Sequence, residues 1–395
     1  MLTLITNGSI LTPAGWLDGA TIKIDGSRIV SIENGTTLPT QTPDSPEAEI
    51  NIIDAKGAYI IPGGIDLHLH GGGGHDFLEC SEEAFRTAIA AHMRHGTTAL
   101  YPTLAAASRD MMAEAIRTTT KLMAEENSPI MGLHIEGPYL NLTMAGGQIP
   151  EYIKNPDVEE YTSLLAISDC IKRWDASPEL PGALEFGQLL ASKGIVASIA
   201  HTTAGYDEVK AAYEAGYSHA THFYNAMTGV HKRREFKYEG TIESIYLLDD
   251  ITVELVADGI HVPPAILRMV HKFKGVERTC LVTDAMGCTA SDSGELFDKR
   301  VIIEDGVCKL SDRSALAGSI ATMDRLWRTM VQQAGIPLAD AVRMSSETPA
   351  RIMGIYDRKG SLEVGKDADI VLLDQELNLR GVMACGEWVE GTLNV

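Results

Sequence analysis

Apolar and polar residues follow two rhythms along this chain. At its start, short alternating runs, Leu2 to Ile5, Thr21 to Ile24, Ile29 to Ile32 and Ile50 to Ile53, are separated by turn pairs such as Asp25-Gly26 and Asn34-Gly35, the pattern of β-hairpins. No helical period appears there. The far end repeats the habit, with GSLEVGKDADIVLLDQ and VMACGEWVEG forming strands between turn residues. Residues 1–57 and 355–395 are therefore expected to pair into one small β domain.

Residues 58–354 behave differently, with apolar runs alternating with amphipathic stretches. Candidate strands are Ile61 to Leu69, Thr98 to Leu104, Ile130 to Ile135, a weaker one at Cys170 to Trp174, Ile195 to Ala200, Ser218 to Tyr224, Ile251 to Val256 and Thr279 to Thr283. Between them, stretches such as SEEAFRTAIAAHMRHG and TAGYDEVKAAYEAG place apolar residues at helical spacing and end in the Gly that stops a helix. MDRLWRTMVQQAG and LADAVRMSSETPARIMG add closing helices. Eight strands alternating with helices predict an α/β fold, a (β/α)8 TIM-like barrel. The doubly wound alternative lacks a Gly-x-Gly-x-x-Gly turn after its first strand. A length of 395 residues suits a large domain with a companion, since single cores stop growing near roughly 250 to 300 residues.

Composition narrows the function classes. A net charge of -21 repels nucleic-acid phosphates and anionic membranes, so neither is an expected partner. The 6 cysteines include no Cys-x-x-Cys pair, which points to buried thiols in a reducing compartment. The start MLTLITNGSILTPAGW lacks the basic and apolar segments of a signal peptide, and no window reaches about 18 uninterrupted apolar residues. A cytoplasmic location is expected.

In a barrel of this kind, catalytic groups come from the C-terminal ends of the strands. The first candidate strand ends in His68-Leu69-His70, the third in His134-Ile135-Glu136, the fifth in His201, the sixth in His222 and the eighth in Asp284. Alternate strand residues share a face, so His68 with His70, and His134 with Glu136, are expected to project together into the barrel mouth. Imidazole and carboxylate suit zinc, iron or a similar divalent ion, and a catalytic site keeps one position open for water. A single His on an apolar strand is more often a hydrogen-bonded core residue than a ligand. Their joint placement reverses this for His201 and His222, whereas His92, His95, His219 and His271 keep structural assignments and His75 stays open. The pattern points to a metal hydrolase.

Further motifs carry a resemblance. PGGIDLHLHG, GLHIEGPYLN, ASIAHTTAGYDEV, ATHFYNAMTG, VADGIHV, LVTDAMG and LAGSIATM are similar, in order and over nearly the whole chain, to the motifs of N-acetylglucosamine-6-phosphate deacetylases in the amidohydrolase superfamily. The resemblance implies a metal-dependent barrel beside a β-sandwich made from both chain ends, and hydrolysis of the sugar's acetamide to glucosamine 6-phosphate and acetate. It implies that Glu136, His201 and His222 hold the main metal and that Asp284 is general base and acid. Gly147, Gln148, Asn225, Ala226, His261, Leu316, Ala317 and Gly318 fall where the family contacts substrate. A phosphate needs positive charge, which HKRREFK at 231–237 supplies. Arg233 and Arg234 are both candidates, because Arg grips phosphate through two parallel hydrogen bonds. The resemblance further implies a homodimer in which His261 lies near the neighbouring subunit's site.

Two positions depart from the family pattern. Gln148 stands where a His is common; it donates hydrogen bonds but cannot become a cation. His68 and His70 are retained on a strand where relatives differ, so one metal per chain is expected and a second is allowed, with Glu136 or Asp284 as its bridge. Three alternatives stay open: another barrel amidohydrolase, a deacetylase of N-acetylgalactosamine 6-phosphate, and a catalytically silent binding protein. The first meets an obstacle, since many such enzymes use a Lys ending the fourth strand and Lys172 is poorly placed for that.

Overall fold

A computed structural model of the chain describes residues 2–35, 50–291 and 296–394. Residues 36–49 of the expected N-terminal β portion lie outside the described residues. Eight parallel strands form the barrel in chain order: Gly64–Leu69, Thr97–Leu104, Leu133–Ile135, Ile171–Ala176, Val196–Ile199, Tyr217–Ala220, Thr252–Val256 and Thr279–Val282. First and last meet at their C-terminal ends, where Asp284 N donates to His68 O at 2.8 Å and His70 N to Ala285 O at 2.8 Å. Closure at that end is what gathers the strand-terminal residues around one mouth.

The helices form where their caps and breakers lie. Glu82–Met93 starts at Ser81, whose side chain accepts from Ala84 N, and Tyr206–Glu214 is followed by Gly216 in left-handed backbone at φ +101°. Both chain ends build a second body, one hydrogen-bonded sheet in which Ile370–Leu373 runs antiparallel to Tyr59–Pro62 and Tyr59–Pro62 pairs with Leu2–Thr12. Ile5, Ile22, Ile60, Ile370 and Leu372 share its separate apolar core. Among the described residues no helix is long and apolar enough to cross a membrane.

One expected strand divides. The run Ile61 to Leu69 breaks after Pro62, with Tyr59–Pro62 joining the terminal sheet and Gly64–Leu69 opening the barrel. Side chains cannot fit at the break: a Cβ on Gly63 would lie 2.1 Å from Thr98 Oγ1, and one on Gly64 2.6 Å from Met323 Cγ. Glycines there let the chain pass between the two bodies. The sixth strand is also shorter than expected, ending at Ala220 and leaving His222 beyond it.

Candidate metal centre and cavity

Three of the chemically important residues share one backbone device. His201, His222 and Asp284 each sit two residues past the last residue of a barrel strand, with φ of +45°, +30° and +48°. Left-handed backbone is costly for such residues and persists where surrounding structure enforces it, often at functional sites. It turns each side chain from the strand direction into the mouth. Glu136 follows the third strand directly. Its N–H donates to Leu104 O at 2.8 Å, and Trp174 Nε1 donates to the next carbonyl, Gly137 O, at 2.7 Å.

Glu136 Oε1 lies 2.9 Å from His201 Nε2 and 2.9 Å from His222 Nε2, and these two nitrogens are 3.1 Å apart. Their other nitrogens face backbone carbonyls, His201 Nδ1 at 2.7 Å from Met144 O and His222 Nδ1 at 3.1 Å from Asn225 O. A carbonyl can only accept, so each Nδ1 carries the proton and each Nε2 presents a lone pair. Three acceptors thus converge with no donor among them. A cation resolves that conflict, and the donor set fits a divalent ion.

A second convergence shares the same carboxylate. Glu136 Oε2, buried and without a hydrogen-bond partner, faces His70 Nε2 at 3.2 Å and His68 Nε2 at 3.5 Å. Asp284 Oδ1 completes the group at 3.3 Å from His70 and 3.6 Å from His68. Both triads, His68–His70–Glu136 and Glu136–His201–His222, are compact enough to hold an ion. The proton affinities tell the same story. Burial opposes charging His70, yet the adjacent Asp284 and Glu136 carboxylates push it up to about 9. Burial likewise opposes ionising Glu136, but the charge that His68 takes up and the close imidazoles of His201 and His222 hold it well below the usual carboxylate range. The cluster attracts positive charge, which a metal supplies by displacing protons.

His134 is a correction to the expected pairing with Glu136. It shares the inward face but lies one layer deeper, about 6–7 Å down the strand, with Nδ1 at 3.0 Å from Thr103 Oγ1 and Nε2 at 2.9 Å from Asp175 Oδ1. It belongs to neither triad. Sequence reasoning also missed the buried charges of this layer, Arg173, Asp175 and Glu254, each fully buried. Their signal was present as charges inside the strand runs IKRWDA and TVELV. A third compact group there, His219, Glu254 and Cys280, is a poor metal site. Arg173 already pairs with Glu254, and burial, then Glu254, push the Cys280 thiol well up, away from the thiolate a metal needs. His92 is buried and faces Gly71 O at 2.8 Å, and His271 pairs with Asp340, as their structural assignments anticipated.

A cavity of about 420 Å³ opens above the two triads. Gly147, Gln148, Asn225 and Ala226 form part of its wall, and Leu316, Ala317, Gly318 and His261 another part. Gln148 Oε1 accepts from Ala106 N at 2.7 Å, leaving its NH2 as the donating end. Asn225 Nδ2 is buried with no partner, a donor lacking an acceptor. His261 Nδ1 contacts Asp258 Oδ2 at 2.8 Å, which turns Nε2 outward. His261 therefore lines the cavity of its own chain. Arg233 and Arg234 do not: they lie exposed on the hairpin His231–Arg233 and Phe236–Tyr238, with the Arg233 guanidinium 4.9 Å from the Tyr238 ring. No Lys or Arg is among the described residues lining the cavity, whereas Asp76 and Asp298 are. Lys172 is on the outer side, against Gly132, away from the mouth.

A parallel eight-stranded barrel with imidazoles and carboxylates converging at its C-terminal mouth defines a metal-dependent hydrolase of the amidohydrolase class. The amidohydrolase family model matches residues 59–389. The chain belongs to that family and, within it, to the N-acetylglucosamine-6-phosphate deacetylases. The N-acetylglucosamine-6-phosphate deacetylase of Haemophilus influenzae is 31% identical over 91% of this chain and 94% of its own. An N-acetylgalactosamine-6-phosphate deacetylase of Escherichia coli O157:H7 is 29% identical over 97% of each chain. Among solved structures, a point mutant of N-acetyl-D-glucosamine-6-phosphate deacetylase from Mycobacterium smegmatis, in complex with N-acetyl-D-glucosamine-6-phosphate, superposes with a TM-score of 0.87 at 32% identity, covering 98% of this chain and 99% of that one.

Proposed function

We propose that the protein hydrolyses the acetamide of N-acetyl-D-glucosamine 6-phosphate, releasing acetate and D-glucosamine 6-phosphate. The observation that carries this reading is the cavity itself, where an acceptor-only metal cluster, the Asp284 carboxylate and the orphan donor Asn225 Nδ2 face one space. Divalent ions there, zinc, iron or similar, supply Lewis acidity that polarises an amide carbonyl and makes water a nucleophile near neutral pH. Glu136 supports two ions per chain, since its two oxygens face different histidine pairs.

Asp284 is the proton carrier. Burial opposes its ionisation, but His68 and His70 hold its carboxyl below the ordinary range, so it is free to accept the proton of the attacking water. It then returns that proton to the amide nitrogen, which leaves only once protonated. Asn225 Nδ2 and the Gln148 amide orient substrate oxygens. The phosphate finds no Lys or Arg among the described residues lining the cavity, and Arg233 or Arg234 of a second copy would meet it. Exposed Val230, Phe236 and Tyr238 around those arginines support a homodimer. Cysteines free of disulfides support a cytoplasmic setting.

Gln148 favours one second reading, the galacto epimer as substrate, because it lines the cavity at a loop position where the family commonly has a His. The test is acetate release from both sugar phosphates by chelator-stripped protein with zinc or ferrous iron restored. Faster turnover of the gluco substrate is expected. Faster turnover of the galacto substrate selects the second reading, and no acetate from either with metal present refutes both.

A further inference from the structure

His201 and His222 turn Nδ1 to backbone carbonyls, but His68 turns its Nδ1 to a carboxylate, Glu254 Oε2, at 3.1 Å. The same oxygen accepts from His222 N–H at 3.0 Å, so one carboxylate touches a member of each triad. Its other oxygen is taken by the Arg173 guanidinium. Arg173 in turn donates to Thr221 Oγ1 at 2.7 Å and lies 3.3 Å from Asp175 Oδ1. Glu254, Arg173 and His68 are all fully buried. With Arg173 behind it, Glu254 has one way to sit.

Chemistry follows from that clamp. An ionised carboxylate has no proton to give, so His68 must carry its proton on Nδ1 and present the Nε2 lone pair to His70, Glu136 and Asp284. An imidazole locked this way is a better ligand, because its tautomer and ring plane need no rearrangement on metal binding. We propose that Glu254, clamped by Arg173, is the positioning residue that fixes the ligating tautomer of His68 and so makes the second metal position a binding site. This deepens the two-ion reading above and rests on it.

Glu254→Gln tests the idea with almost no change of shape. Arg173 can only donate, so the Gln carbonyl turns to Arg173 and its NH2 faces His68. Two donors cannot meet, and His68 moves its proton to Nε2, where it blocks the metal.

The experiment uses the full chain, stripped with chelator and titrated with zinc against a chromophoric competitor, with metal content measured after dialysis. Wild type is expected to take two ions per chain. Glu254→Gln is expected to weaken the second by about 10- to 100-fold, the usual effect of losing a partner behind a ligand, and the first by less, because there the lost acceptor serves only the backbone N–H of His222 while the His222 ring keeps its partner at Asn225 O. His219→Gln is the control. It alters a residue 3.7 Å from the Arg173-bound oxygen of Glu254 without touching His68, and both ions should bind as in wild type. Unchanged affinity in Glu254→Gln beside two ions in wild type overturns the role of Glu254 alone. A single ion in wild type overturns the two-ion reading and this inference with it. Equal weakening in His219→Gln points to general disruption and also overturns it. Should Glu254→Gln not fold, imidazole nitrogen NMR of stripped wild type, at a pH high enough for the His68 ring to be neutral, decides: a His68 proton on Nδ1 supports the proposal, and one on Nε2 refutes it.

Discussion

His92 ties acid stability to the shape of the metal site. Its ring is fully buried and holds Gly71 O at 2.8 Å, one residue past His70. With the proton on Nε2, Nδ1 has no partner, so charging the ring would bury an unsatisfied N–H as well as a charge. Burial, helped by His95, therefore brings its pKa down from 6.5 to about 4. An unfolded chain takes up that proton below 6.5 and the folded chain does not, so stability is complete above 6.5 and is lost as pH falls toward 4. The loss amounts to about 2 kcal/mol between pH 7 and pH 5 and about 3 kcal/mol in the limit. His92→Gln retains an NH2 donor for Gly71 O and cannot titrate. Urea unfolding of metal-stripped protein at pH 5, 6 and 7 should show the variant losing about 2 kcal/mol less than wild type across that range. The difference between the two chains cancels every other titrating group. Equal losses in both chains would refute the burial argument.

Two further outcomes test the catalytic assignments. Asp284→Asn should lower kcat by about 10²- to 10⁴-fold while zinc still binds at Glu136, His201 and His222, as steady-state kinetics and metal analysis would show. Replacing both Arg233 and Arg234 by Ala should raise KM for the phosphorylated sugar by about 10- to 100-fold and spare the unphosphorylated one. If these arginines act across a dimer, mixing that variant with Asp284→Asn should restore about a quarter of wild-type sites, because mixed dimers hold one complete site; no recovery places the arginines elsewhere.

What could be seen in the sequence depended on how local its cause was. Strand runs, helix stops and the His-x-His pair are set by neighbours a few residues apart, and barrel and terminal sheet follow from them. Residues ending strands were legible because barrel topology sends those ends to one mouth. His134 was misplaced because spacing of two fixes the face of a strand but not the depth at which a side chain stops. Arg173 and Glu254 were invisible for a different reason. They stand 81 positions apart, and each alone looks like a stray charge in a buried strand. Only closure of the barrel makes them partners, and the same closure puts Glu254 behind His68.

Charge explains why the site is divided as it is. A chain of net charge -21 must admit an anionic sugar phosphate into a cavity whose described lining residues include Glu136, Asp284, Asp76 and Asp298 and no Lys or Arg. An anion entering the metal-free cavity would meet carboxylates at short range in a low dielectric, where repulsion is strongest. Metal ions at the two triads would reverse that field at the acetamide end. At the phosphate end the field would stay unfavourable unless cations arrive from outside, which the proposed second copy of the chain would supply through its exposed Arg233 and Arg234. Asp298 already pairs with Arg300 at 2.6 Å, and the same guanidinium donates to Gln148 O and Gly147 O, so that cation is held at the cavity wall. On the proposed reading, binding and chemistry would depend on different partners, metal at one end and a second subunit at the other.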